Sequence, residues 1–100
     1  MAALDLTGKQ RRHLRALGHS LRVVAQVGRE GLTEGLVAAI DRALADHELV
    51  KVRVGEAAGI ERHAAASELA DRTDAAVAQV LGSTILLYRP DPEEPRIALP

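Results

Sequence analysis

The sequence has no cysteine, no phenylalanine and no tryptophan, and its single tyrosine is Tyr88. Without cysteine there is neither a disulfide framework nor a thiolate zinc site. With a single aromatic of this kind, any module that stacks successive bases on several rings, as the RRM does, is excluded. The core must instead be aliphatic, built from Leu, Val, Ile and Ala. Proline is scarce, and all four prolines stand at or after Pro90. No stretch approaches the roughly 20 apolar residues a membrane-spanning helix needs. The N-terminus lacks the basic-then-apolar pattern of a secretory signal. A cytoplasmic protein without membrane contact is the expectation.

What is present is one domain's worth of chain, 100 residues long, enough for a modest core. The net charge of −1 argues against indiscriminate polyanion binding, but the charge is unevenly spread. Residues 1–31 hold Lys9, Arg11, Arg12, Arg15, Arg22 and Arg29 against only Asp5 and Glu30. The remainder holds seven cations against twelve carboxylates. A basic pole on an acidic body suits an anion-binding role, although a basic helix face exposed to water has the same composition.

The chain is organised around Val23–Ile40, reading VVAQVGREGLTEGLVAAI. A short β-branched run, Val23–Val27, stops at Gly28-Arg29-Glu30-Gly31, and a helical pattern opens at Gly31-Leu32-Thr33 with Leu36, Val37, Ile40 and Leu44 on one face. A strand that turns at glycines into a helix leaves main-chain N–H groups without partners, which suits a phosphate. Glycine at both ends admits positive φ and, lacking Cβ, lets a sugar-phosphate chain come close. Arg29 can add a charge-assisted contact. Acidic Glu30 and Glu34 suit the helix dipole but oppose a phosphate.

Around this stretch, Thr7 with Gln10 has capping-box spacing for a first helix, with Leu14, Leu17 and Leu21 following on one apolar stripe and Gly18 ending the regular helix. Leu49–Val54 alternates Val50, Val52 and Val54 with Lys51 and Arg53, a strand with one core face and one cationic face. Gly55–Gly59 reads as a loop, Ile60–Arg72 as a third helix, and Thr73-Asp74 as its exit, Asp tolerating the left-handed cap. Val77–Leu81 and Thr84–Tyr88 flank Gly82-Ser83, a type II′ hairpin signal. Asp91–Pro95 is an acidic, proline-rich exit with little to bury. Ile97 and Leu99 fit either a small edge strand or a tail packed on the body. The order α-β-α-β-α-β-β predicts an α/β fold with one mixed four-stranded sheet packed with helices. The core is placed at about 7–90, with 91–100 as tail.

Enzyme chemistry finds no foothold. His13, His19, His47 and His63 form no HExxH and no i, i+4 pair, and GREG lacks the Gly-Lys-Ser/Thr ending of a P-loop. No catalytic residue, cofactor, metal or small-molecule substrate is expected, and a monomer is favoured.

From Thr7 to Tyr88 the sequence resembles the CRM domain (chloroplast RNA splicing and ribosome maturation) in its stand-alone bacterial YhbY-like form. The resemblance lies in KQRRHLRALGH, VVAQVGREGLTEGLVAAID, HELVKVRV and QVLGSTILLYRP, in that order. It implies a fold similar to the C-terminal domain of translation initiation factor three. It also implies RNA binding through the GxxG loop and adjacent basic surface, and association with the precursor of the large ribosomal subunit. The positions it marks are Gly28, Arg29, Glu30 and Gly31 of the loop, then Lys9, Arg12, Arg15 and Arg22, then Lys51 and Arg53. Glu30 departs from the family's usual neutral or basic residue, and Val23 stands where proline is common. Contacts of this kind read the backbone more than the bases. A second reading is a protein-interaction module whose acidic surface and Pro-rich tail dock a basic ribosomal protein on a ribonucleoprotein particle.

Overall fold

Each helix begins where a side chain caps it. The computed structural model describes residues 5–100; residues 1–4, the first of the expected 1–100 domain, lie outside the described part. In α1 (Gly8–Gly18), the Thr7 hydroxyl accepts the Gln10 N–H at 3.1 Å, while the Thr7 N–H donates to Gln10 Oε1 at 3.0 Å. The capping box read from spacing is therefore formed. In α2 (Glu34–His47), Thr33 accepts the Leu36 N–H at 3.1 Å. In α3 (Arg62–Thr73), the Glu61 carboxylate accepts from His63 and Ala64, so the helix starts two residues after the expected Ile60. The loop before it contains a single 3-10 turn, Glu56–Ala58. Asp74 closes α3 at φ +54°, the left-handed cap expected of it.

The strands are β1 (Val23–Val27), β2 (Leu49–Val54), β3 (Ala76–Leu81) and β4 (Thr84–Tyr88), arranged β1-β2-β4-β3. The β1–β2 pair is parallel and the other two are antiparallel, giving the mixed sheet that the element order predicts. Between β3 and β4, Gly82 sits at φ +57° and Ser83 has no positive φ, as a II′ turn requires.

Alternation sorts the side chains onto two faces. Val50, Val52, Val54, Ile85 and Leu87 pack with Ile40 and Leu44 of α2 and with Ala65, Ala66 and Leu69 of α3. The opposite face carries Leu49, Ala76, Ala78, Leu86 and Tyr88, covered by Leu14 of α1. β4 is buried on both faces because it is an inner strand between two layers. α1 comes close enough that a Cβ on Gly18 would stand 2.5 Å from Leu86 Cδ1. Beyond that contact the second face opens, with Lys51 half-buried and Arg53 exposed.

Of the two arrangements expected for the tail, the edge strand does not form and the packed tail does, fastened to the body of the domain. The fastener is Glu48, the residue after α2, held at φ +66° and only 1% exposed. Its carboxylate accepts the N–H groups of Asp91 at 2.6 Å and of Arg96 and Ile97 at 2.9 Å. Ile97 and Leu99 then pack against the second apolar cluster. Burial raises the Glu48 pKa, but the amides of Asp91, Ile97 and Arg96 and the Arg96 charge outweigh it, holding the carboxyl below its ordinary value. Arg89, from the LYRP stretch, is structural too: it donates to Asp41 Oδ1 at 2.6 Å and to the Thr73 carbonyl at 2.7 Å, tying α2 to the end of α3.

Candidate nucleic-acid interface

The corner between β1 and α2 is a four-residue turn closed by the Gly31 N–H donating to the Gly28 carbonyl at 2.9 Å. The Thr33 N–H returns to the Gly31 carbonyl at 3.1 Å, and the Thr33 side chain starts the helix. Gly31 lies at φ +74°, a conformation that costs any residue with a Cβ. One of the turn's amides is thus used internally. Among the described residues, no acceptor meets the N–H groups of Gly28, Arg29 or Glu30. Arg29 and Glu30 are exposed, and Gly28 and Gly31 are half-exposed.

Gly28 corrects one part of the sequence reading. Its φ is not positive, so no turn geometry demands glycine there. A Cβ built on it would meet nothing within 4 Å, so packing does not demand glycine either. The space its missing side chain leaves is solvent space, open to something outside the protein. Replacing Gly28 with Ala is therefore expected to leave stability unchanged or raised by about 0.5 kcal/mol, since the unfolded chain loses freedom and the folded one gains no clash. The same replacement should weaken RNA binding. Thermal melting and RNA titration of the one variant check both halves.

The cations divide cleanly. Of the thirteen Lys and Arg residues, five are consumed internally. Arg11 donates to the Val77 and Leu6 carbonyls, Arg62 to Gly82, and Arg72 to Leu32 and Glu68; Arg89 and Arg96 hold the helix ends and tail. Lys9, Arg12, Arg15, Arg22, Arg29, Lys51 and Arg53 make no hydrogen bond or ion pair among the described residues. These seven are all of the cations the sequence reading selected; Arg42, on α2, is the other without a partner.

They do not form one patch. Arg53 lies nearest the corner: it is in register with Gln26, the strand residue two before Gly28, and with Thr84 on its other side. In-register partners share a face, so Gln26, Arg53 and Thr84 make a polar row across the top of the open face. One residue pair lower, Arg15 and Lys51 line a crevice with His19, Gln79 and Thr84 beside the end of α1. Lys9 and Arg12, at 100° per residue, lie on the outward side of α1, roughly opposite its buried Leu14. Arg22 precedes β1 and so stands at the other end of the strand, about 15–20 Å from the corner by strand rise. The sequence reading missed Gln26, whose signal was a lone amide in an otherwise apolar strand, and Glu56 and Ser83, which line the next groove along.

Among the described residues, no three His, Asp or Glu side chains are grouped to hold a metal ion, and no helix is long and apolar enough to cross a membrane.

Comparison with known proteins identifies the family and the fold. A family model described as the CRS1 / YhbY (CRM) domain matches residues 6–89. A Haemophilus influenzae protein named RNA-binding protein is 41% identical over 95 residues, covering 95% of both chains. A Pseudomonas aeruginosa protein, named a probable RNA-binding protein, is 39% identical over 90 residues, covering 90% of this chain and 86% of its own length. The solution structure of the Staphylococcus aureus hypothetical protein SAV1595 superposes with a TM-score of 0.80 at 37% identity, covering 96% of this chain and 100% of that one. The two relatives are named for RNA binding and not for any reaction.

Proposed function

The chain belongs to the CRS1 / YhbY (CRM) domain family, and from that premise we propose that it binds RNA by its backbone at the Gly28–Gly31 corner. The observation that carries the reading is the corner itself. It offers main-chain N–H groups with no internal acceptor, a glycine that nothing inside the protein requires, and cations left without partners beside it. Successive main-chain N–H groups presented by a turn attract phosphate oxygens. Arg29 adds a charge-assisted bond of the kind about twice as strong as a neutral one. Arg53, Lys51 and Arg15 continue the positive track down the open sheet face.

The RNA we assign is ribosomal, met in the cytoplasm during assembly of the large subunit, with the protein acting as a monomer. Support for that finer reading comes from the acidic remainder of the surface, which discourages indiscriminate polyanion binding and favours a structured target. Docking through the acidic tail draws less support. The Asp91 carboxylate already accepts the N–H groups of Glu93 and Glu94 at 2.9 Å, so one of the tail's acids is turned inward.

Two measurements test the proposal. Affinity for structured ribosomal RNA fragments should fall by about 50–150-fold from 50 to 200 mM salt, the slope for roughly four neutralised phosphates. Affinity that is independent of salt would count against backbone contact. In sedimented lysates the protein should travel with large-subunit precursors; migration with the free protein pool alone would remove the ribosomal assignment.

A further inference from the structure

We propose that the groove next to the corner seats one unstacked RNA base and reads its edge through the Gln26 side chain, selecting adenine or cytosine. The proposal rests on the backbone-binding reading above and adds sequence preference to it.

The groove lies across the top of β1, β2 and the β3–β4 hairpin, lined by Gln26, Arg53, Gly55, Glu56 and Ser83, with a volume of about 440 Å³. Gln26 also lines the depression under the Gly28–Gly31 corner, so the two spaces meet at this one side chain. A strand laid along the corner would pass its next nucleotide over Gln26. The Gln26 amide is exposed and makes no hydrogen bond among the described residues. A free planar amide, with donor and acceptor side by side, is the group that pairs two-point with a base edge.

Gly55 forms the floor. Its backbone is extended, at φ −75° and ψ 160°, so its conformation would accept any residue. Yet a Cβ there would stand 3.1 Å from Gln26 Nε2 and 3.2 Å from the Val27 carbonyl. The missing side chain keeps the amide where it is and leaves flat space in front of it.

Charge then decides which part of a nucleotide enters. Glu56, on the groove wall, repels phosphate, so the backbone is held toward Arg29 and Arg53 and the base is left to fill the groove. A carboxylate accepts from an exocyclic amino group and repels a carbonyl. Adenine and cytosine each present an amino group next to a ring acceptor. Uracil and guanine present a carbonyl at the same place. With Tyr88 only 2% exposed and no other aromatic in the chain, the base is held by its edge and not by stacking on a ring.

The experiment uses the full chain and three labelled RNA hairpins with one stem and loops of four adenines, four cytosines or four uracils. The wild type is expected to bind the adenine or cytosine loop about tenfold more tightly than the uracil loop, the discrimination of one two-point base contact. Glu56→Gln should collapse that ratio to about one, and Gln26→Ala and Gly55→Ala should each pull it well down toward one, the first by removing the amide and the second by displacing it. Arg29→Glu should weaken all three loops while keeping the ratio. Equal binding of the three loops by the wild type overturns the base-reading proposal and leaves backbone binding standing. A preference that persists undiminished in Gln26→Ala also overturns it. Failure to bind any hairpin at low salt overturns both.

Discussion

Arg29→Glu combined with Arg53→Glu lowers RNA affinity about 100-fold at moderate salt and leaves the fold intact. Each change removes a charge-assisted contact worth about 1.5–3 kcal/mol and places a carboxylate against phosphate. The sum, roughly 3 kcal/mol or more, is two powers of ten. Neither side chain has an internal partner to lose, so a shift in thermal midpoint beyond a degree or two would point to misfolding instead. Arg42→Glu supplies the control. It makes the same change of charge at another unpartnered cation, on α2 in the layer across the sheet, and should cost less than about threefold. Equal losses at Arg42 and at the pair would mean that net charge, not the corner, attracts RNA. Fluorescence anisotropy with one ribosomal RNA fragment measures all three.

Glu48 carries the largest expected effect on stability. Glu48→Ala leaves three inward amides, those of Asp91, Arg96 and Ile97, without their acceptor and frees the tail that covers Leu49 and Tyr88. Losing the acceptor of a buried, charged network costs about 3 kcal/mol, which for a chain of this length lowers the melting temperature by about 10–20 °C. The pH dependence follows from the depressed carboxyl. A group whose folded pKa lies below its unfolded value of 4.5 stabilises above that value, and the contribution is lost as pH falls through the folded one. Denaturation at neutral pH should therefore separate wild type from Glu48→Gln, and the two should converge as the pH falls below the ordinary carboxylate value and through the lowered folded one. A separation that stays constant with pH would show that the charge of Glu48 does not hold the tail.

The contrast between these sites shows what one dimension can carry. Thr7 with Gln10, the Val50-Val52-Val54 alternation and Gly82-Ser83 are local patterns, set by residues two to four apart, and each forms as read. The strand-to-helix corner is likewise local, so Gly31 and the exposed Arg29 were legible. Glu48 was not, because its partners lie more than forty residues away and nothing in HELVKVRV marks that glutamate as buried. Arg11 and Arg89 look like any other surface cations until the fold brings the Val77 carbonyl to one and Asp41 to the other. Gly28 was read as a turn glycine; only the backbone angles show that the turn does not need it. Gln26 shows in the sequence only as a lone amide in an apolar strand, and its significance comes from two grooves that meet at it.

The central claim is that RNA is gripped by the main chain of the corner, and amide NMR of the folded protein reads those groups one by one. Titration with a ribosomal RNA hairpin should shift the Gly28, Arg29 and Glu30 N–H signals strongly and together, at the concentration that gives half-saturation. The Gly31 N–H, already bonded to the Gly28 carbonyl, should move least of the four. Saturable RNA binding that leaves the Arg29 and Glu30 amides where they were would contradict the account.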